Sequence, residues 1–121
     1  MNKEVAIMEE SQLELYDKVV EYRGKLQEEL PDMIAAHSAF RDEVYKDGAL
    51  SRKVKRLVAL GVALRCGCAG CIAGQTKYAV EAGATKDEVL ETVSVAIVMG
   101  GTPAMAESWR VVKTLEEMGR W

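Results

Sequence analysis

Leu57-Val58-Ala59-Leu60-Gly61-Val62-Ala63-Leu64 runs through Arg65 into Cys66-Gly67-Cys68-Ala69-Gly70-Cys71, and these residues decide the fold. The first eight are apolar almost without a break. They do not alternate as a half-buried strand does, and as a helix they are apolar nearly all round, which calls for a central position. Cys68 and Cys71 follow at the start of a second helix-like segment that continues from Ile72 to Ala82. Two cysteines at this spacing can close a small disulfide, because their Cα atoms fall within the roughly 7 Å that the bond allows. A helix N-terminus, with its free N–H groups and its dipole, favours the thiolate, the reactive form of the thiol.

Outward from this centre the chain reads as helices. Ser51 is a good N-cap for the helix that holds the apolar run, and Arg52, Lys53, Lys55 and Arg56 crowd its first turns. Cations there oppose the helix dipole. They are either solvated or received by acids of a neighbouring helix, such as Glu28, Glu29, Asp42 or Glu43. Upstream, Ser11 opens a helix with Leu13, Tyr16, Val19, Val20, Leu26 and Leu30 near one stripe. Pro31 suits the first position of a second helix carrying Met33, Ile34, His37, Phe40, Val44 and Tyr45, closed by Asp47-Gly48. Residues 1–10, polar apart from Val5, Ala6, Ile7 and Met8, are expected to be frayed. Downstream, Gly83 stops the helix after the cysteines, and Thr85 with Glu88 forms a capping box for the run Val89 to Met99. Gly100-Gly101 ends that helix and Thr102-Pro103 opens a last one carrying Met105, Trp109, Val112, Leu115 and Met118. The expectation is one all-α domain over residues 1–121, of about six helices.

Composition narrows the function. A net charge of −3, from 16 basic and 19 acidic residues, with no polybasic tail, gives no support for nucleic-acid binding. No apolar run reaches the roughly 20 residues that span a bilayer. Met1-Asn2-Lys3-Glu4 starts no signal peptide, so the expected compartment is the cytoplasm, where a CxxC is more often catalytic or metal-binding than structural. The helices holding Leu57–Leu64 and Val89–Met99 are both apolar around their girth. One chain of 121 residues has little left to cover them, which points to a homo-oligomer.

For the cysteines three readings stand: a redox-active pair, inert buried thiols, or a metal site. Zinc wants four ligands, usually from two separated pairs. Here Cys66, Cys68 and Cys71 could be joined only by the single histidine, His37, with a strained Cys66-x-Cys68 spacing. The redox pair is favoured, with no metal and no cofactor. His37 reads as a partly buried helical residue that could act as a surrogate base only if its helix passes over Cys71.

The chain resembles the carboxymuconolactone decarboxylase family, which includes the alkylhydroperoxidase D (AhpD) proteins. The resemblance runs from about Pro31 to about Trp109. It is carried by Asp47-Gly48-Ala49-Leu50-Ser51, Leu57-Val58-Ala59-Leu60, Cys68-x-x-Cys71-Ile72, Ala82-Gly83-Ala84-Thr85, Glu88-Val89-Leu90-Glu91 and Ser94 to Ala104. It implies an AhpD-like all-helical fold, assembly into homo-trimers or homo-hexamers, and a dithiol that reduces a partner protein's disulfide or a small peroxide. AhpD-like members usually place a histidine four residues after the second cysteine and a glutamate twelve before the first, as a proton relay. Here those positions are Gln75 and Arg56. Gln75 cannot take up and release a proton near neutral pH, and Arg56 cannot act as a base. A cation near the pair would still favour the thiolate. The implied activity is therefore a CxxC-dependent oxidoreductase of the peroxidase or disulfide-reductase type, with Cys68 and Cys71 at its centre. Gln75, Arg56, His37 and Cys66 would support them. The alternatives are a decarboxylase-type lyase, in which Arg56 and His37 meet a carboxylated lactone, and a non-catalytic oligomer of the same fold.

Overall fold

The computed structural model describes residues 10–121, so the expectation of a frayed start over residues 1–10 lies, up to residue 9, outside the described residues. Among the described residues seven helices follow one another: α1 Gln12–Glu29, α2 Pro31–Val44, α3 Arg52–Cys66, α4 Ala69–Glu81, α5 Lys86–Gly100, α6 Thr102–Glu107 and α7 Trp109–Glu117. Among the described residues there is no strand, and no helix is long and apolar enough to cross a membrane.

Caps set most of the boundaries. The hydroxyls of Ser11, Ser51 and Thr85 accept from the backbone N–H three residues on, and Glu88 returns the bond to the N–H of Thr85, closing the capping box. Gly67 ends α3 in the left-handed region, at φ 70°, where a β-carbon would be strained. Two boundaries differ from the sequence reading. Helix α2 stops at Val44, and Asp47 turns forward instead, its Oδ1 accepting from the N–H of Arg52 at 2.7 Å. That carboxylate at the start of α3 offsets part of the cation crowding there. The expected last helix is broken at Ser108 into α6 and α7.

Helices α3 and α4 form the central hairpin. Helix α5 covers one side of α3, and α1 and α7 cover α4, while α2 rests chiefly on α1. Leu60, Leu64, Ile72, Val89, Val111 and Leu115 are fully buried between them. Each such side chain stabilises the fold by about 1.5–3 kcal/mol through burial. The start of α1 and the end of α7 are tied by Glu117. Its carboxylate accepts from the hydroxyl of Ser11 and from the N–H groups of Gln12 (2.8 Å) and Leu13 (3.4 Å). A negative charge on the free donors of a helix start is favourable for both reasons, hydrogen bonding and dipole.

Neither α3 nor α5 is enclosed on all faces. Val58 and Val62 on α3, and Val95, Val98 and Met99 on α5, are exposed, Val98 and Met99 by 79% and 82%. Most of the stripes read on α1 and α2 is exposed as well: Tyr16 and Ile34 are buried and Leu13 and Tyr45 half-buried, while Val19, Val20, Leu26, Leu30, Met33, Phe40 and Val44 face water. Periodicity identifies a face that is apolar. It does not say that the same chain covers it.

None of the cations at the start of α3 forms an ion pair with Glu28, Glu29, Asp42 or Glu43 of the same chain. Lys53 pairs with Glu88 at 2.8 Å, an attraction that holds the Glu88 carboxyl below the usual carboxylate range with help from the N–H of Thr85. Lys55 instead donates to the carbonyls of Val44 and Lys46, closing the α2–α3 connection.

Candidate active site

Gly67 turns the chain out of α3 and leaves Cys68 as the N-cap of α4. A sulfur there plays the part of a capping oxygen: the Sγ of Cys68 accepts from the N–H of Cys71 at 3.3 Å. The two cysteines are joined as a disulfide with Cα atoms 5.2 Å apart. Cys71 is exposed, Cys68 is half-buried, and Cys66 is a free, exposed thiol at the end of α3.

Two clefts meet at Cys71 and Gln75. The first, of about 630 Å³, is apolar, with Val44, Leu50, Val58 and Val62 on its walls, and it also reaches Cys66 and Cys68. The second, of about 260 Å³, is polar and is lined by Arg23, Arg41, Arg52 and Arg56 together with Tyr16 and Tyr78.

Arg56 lines the polar one. It is 6% exposed. Its guanidinium carbon lies 3.5 Å from the centre of the Tyr45 ring and 4.4 Å from that of Tyr78, both within cation–π range. Its Nη1 donates to Oε1 of Gln75 at 3.2 Å. Positions 56 and 75, which the resemblance paired as a relay, are therefore brought together, but as a cation bound to a neutral amide.

The wall of the polar cleft depends on a close helix crossing. Gly70 and Gly74 lie one turn apart on α4. A β-carbon on Gly70 would come within 2.8 Å of Val19, and one on Gly74 would run into the ring of Tyr16. Their absence lets α1 approach closely, so that the Tyr16 hydroxyl reaches that of Tyr78 at 2.5 Å with the rings edge to face. Burial, and then the bond to Tyr78, push the Tyr16 phenol up to about 12, against a smaller opposing pull from Arg23. Tyr16 is thus a neutral hydrogen-bonding group near pH 7 rather than a base.

His37 is exposed on α2 and lines neither cleft, so it is not placed to serve as a surrogate base. Among the described residues no group of three His, Cys, Asp or Glu side chains is placed to hold a metal ion, and the Cys66, Cys68, Cys71 and His37 set is not assembled. Sequence reasoning missed Tyr16, Tyr45, Tyr78, Arg23 and Arg41. One available signal was the recurrence of Gly70, Gly74 and Tyr78 at four-residue spacing, which puts two small residues and a polar aromatic on one face of α4.

The model of the carboxymuconolactone decarboxylase family matches residues 31–114. An uncharacterized protein of the cox locus of Paracoccus denitrificans is 35% identical over 83 residues, spanning 69% of this chain and 75% of that protein. Among solved structures, a carboxymuconolactone decarboxylase family protein from Legionella pneumophila superposes with a TM-score of 0.84 at 30% identity, over 88% of this chain and 95% of that one. A family member from Thermotoga maritima, described as a candidate for involvement in antioxidative response, superposes with a TM-score of 0.67 at 29% identity, over 71% of this chain and 89% of that one.

Proposed function

The chain belongs to the carboxymuconolactone decarboxylase family, and from that premise we propose that it is a thiol–disulfide oxidoreductase of the AhpD-like kind, working through Cys68 and Cys71. The observation that carries this reading is the position of the pair: bonded to each other at the start of α4, with Cys71 exposed where two clefts meet. In the reduced enzyme the Cys71 thiolate attacks one sulfur of a partner disulfide, and the other partner sulfur leaves as a thiolate that takes up a proton. Cys68 then attacks the sulfur of Cys71, closes the Cys68–Cys71 bond and expels the second partner thiol. Two electrons and two protons pass from the dithiol to the partner disulfide. A small thiol or a protein dithiol restores the starting state by the reverse exchange.

Disulfides suit this site better than peroxides. A thiolate leaves without much help, since its conjugate acid has a pKa near 8.5, whereas the oxygen leaving from a peroxide needs a proton. Arg56 and Gln75 cannot deliver one by cycling near pH 7. Peroxidase turnover is accordingly expected to be weak. The polar cleft also favours a second reading, a lyase acting on a carboxylated substrate, since arginines suit carboxylates.

The test is steady-state reduction of a model disulfide by the reduced protein, compared with Cys68→Ser and Cys71→Ser. The redox reading expects both variants to lose turnover. A lyase activity that survives both replacements would favour the second reading. The exposed valines of α3 and α5 further support self-association, with a second copy covering that face, and the family resemblance suggests a homo-trimer or homo-hexamer.

A further inference from the structure

We propose that the polar cleft between α1, α2, α3 and α4 is an oxyanion site built on Arg56, and that it takes the carboxylate or phosphate of the molecule on which the dithiol acts. The substrate class rests on the thiol–disulfide reading above; the anion site does not.

The decisive feature is a buried cation without a counter-charge. Arg56 is 6% exposed, yet none of the ion pairs among the described residues includes it. A guanidinium offers five N–H donors. One nitrogen of Arg56 has the neutral amide of Gln75 as its partner, and Nε has no partner among the described residues. The ring faces of Tyr45 and Tyr78 attract the charge, but they do not accept its hydrogens as an oxygen would. Burying a charge in this way is costly unless something pairs with it. A carboxylate or phosphate is the natural partner, because either takes two parallel N–H bonds from one arginine.

The surroundings agree. Arg23, Arg41 and Arg52 line the same cleft, and Asp42 is the one acid on its wall, lying 3.5 Å from Arg41. The formal charge of the lining is 4 − 1 = +3, within a chain whose net charge is −3. Glu81 shares an adjoining cleft with Arg52 and pairs with Lys77. A volume of about 260 Å³ suits an anionic head group rather than a whole drug-sized molecule. Cys71 is on the same wall, so an anion seated on Arg56 would bring the remainder of its molecule towards the exposed sulfur.

The test has two arms, both on the full chain. In the first, melting temperature is followed on the oxidised protein as succinate or inorganic phosphate is added, at ionic strength matched with chloride. A ligand bound by the folded state raises the melting temperature. We expect a saturable rise for at least one of the two, and which one separates a carboxylate from a phosphate site. Arg56→Gln should weaken binding by about tenfold or more, as expected for the loss of charged hydrogen bonds. If Arg56→Gln fails to fold, Arg52→Gln, at an exposed position on the cleft wall, should still weaken it several-fold. Chloride-like behaviour from both anions would overturn the site, as would equal binding by wild type and Arg52→Gln. In the second arm the reduced protein is offered 3,3′-dithiodipropionate and the neutral bis(2-hydroxyethyl) disulfide. A preference for the anionic disulfide that falls in Arg52→Gln supports the substrate class; equal rates overturn it. Anion binding with no disulfide reduction would refute the redox reading and leave the site standing. Reduction without anion binding would do the reverse.

Discussion

The Nη1 of Arg56 lies 3.2 Å from Oε1 of Gln75, so the two residues that stand where AhpD-like relatives hold a relay act on each other directly. Changing one alters what the other must satisfy. Arg56→Glu alone puts a carboxylate against the electron-rich faces of Tyr45 and Tyr78 and is expected to cost more than about 2 kcal/mol. Adding Gln75→His gives that carboxylate a partner and should recover part of the loss. The double variant should also alkylate faster at neutral pH and consume peroxide better, since a placed proton-transfer group contributes about 10²–10⁴-fold. A double-mutant cycle by urea unfolding, with alkylation rates beside it, checks this. Additive effects, with reactivity unchanged, would mean that the relay positions do not serve the thiols here.

Gly74→Ala is expected to destabilise the protein by about 1–3 kcal/mol, because the new methyl meets the Tyr16 ring and α1 must lift away. The same change at Gly24, mid-way along α1 with nothing within 4 Å of the added carbon, should instead stabilise by up to about 1 kcal/mol through helix propensity. In a Tyr16→Ala background the cost at Gly74 should largely vanish. Chemical unfolding of these variants reads all three effects.

The helices could be read from the sequence because their signals are local. Ser11, Ser51 and Thr85 cap as their types predict, and Pro31 and Gly101 stand at the expected joints. The cysteine pair was legible for the same reason, since its geometry is contained in one turn. What stayed hidden is long-range. Glu117 capping α1 from 106 residues away, or Tyr16 reaching Tyr78 across 62, leaves no periodic trace. Arg56 was legible as a departure from the family pattern, but its place between Tyr45 and Tyr78 depends on how the end of α2 and the face of α4 are brought to it.

Stability should fall between pH 10 and 12, partly through Tyr16. Its phenol ionises at about 12 in the folded chain against 10.0 ordinarily, so the folded state holds the proton longer than the unfolded state. A raised value of this kind stabilises fully below pH 10 and loses that contribution as the pH rises towards 12. Urea unfolding at stepped pH should show a shallower fall for Tyr16→Phe than for the wild type. Equal slopes would assign the alkaline loss to other groups.

Light scattering at micromolar concentration should give a mass of three or six chains rather than 13.3 kDa. Val62→Asp combined with Val98→Asp, at exposed valines of α3 and α5, should reduce it while helicity persists. A stable wild-type monomer would show that this face tolerates water.

The most direct test of the dithiol account is to equilibrate the protein across a series of thiol-to-disulfide ratios, quench with an alkylating agent and record intact mass with peptide mapping. A single reversible two-electron transition is expected, in which Cys68 and Cys71 gain or lose their labels together, while Cys66 is labelled at every ratio. Three labelled thiols at every ratio, or a Cys68–Cys71 bond that no thiol reduces in the native protein, would contradict it.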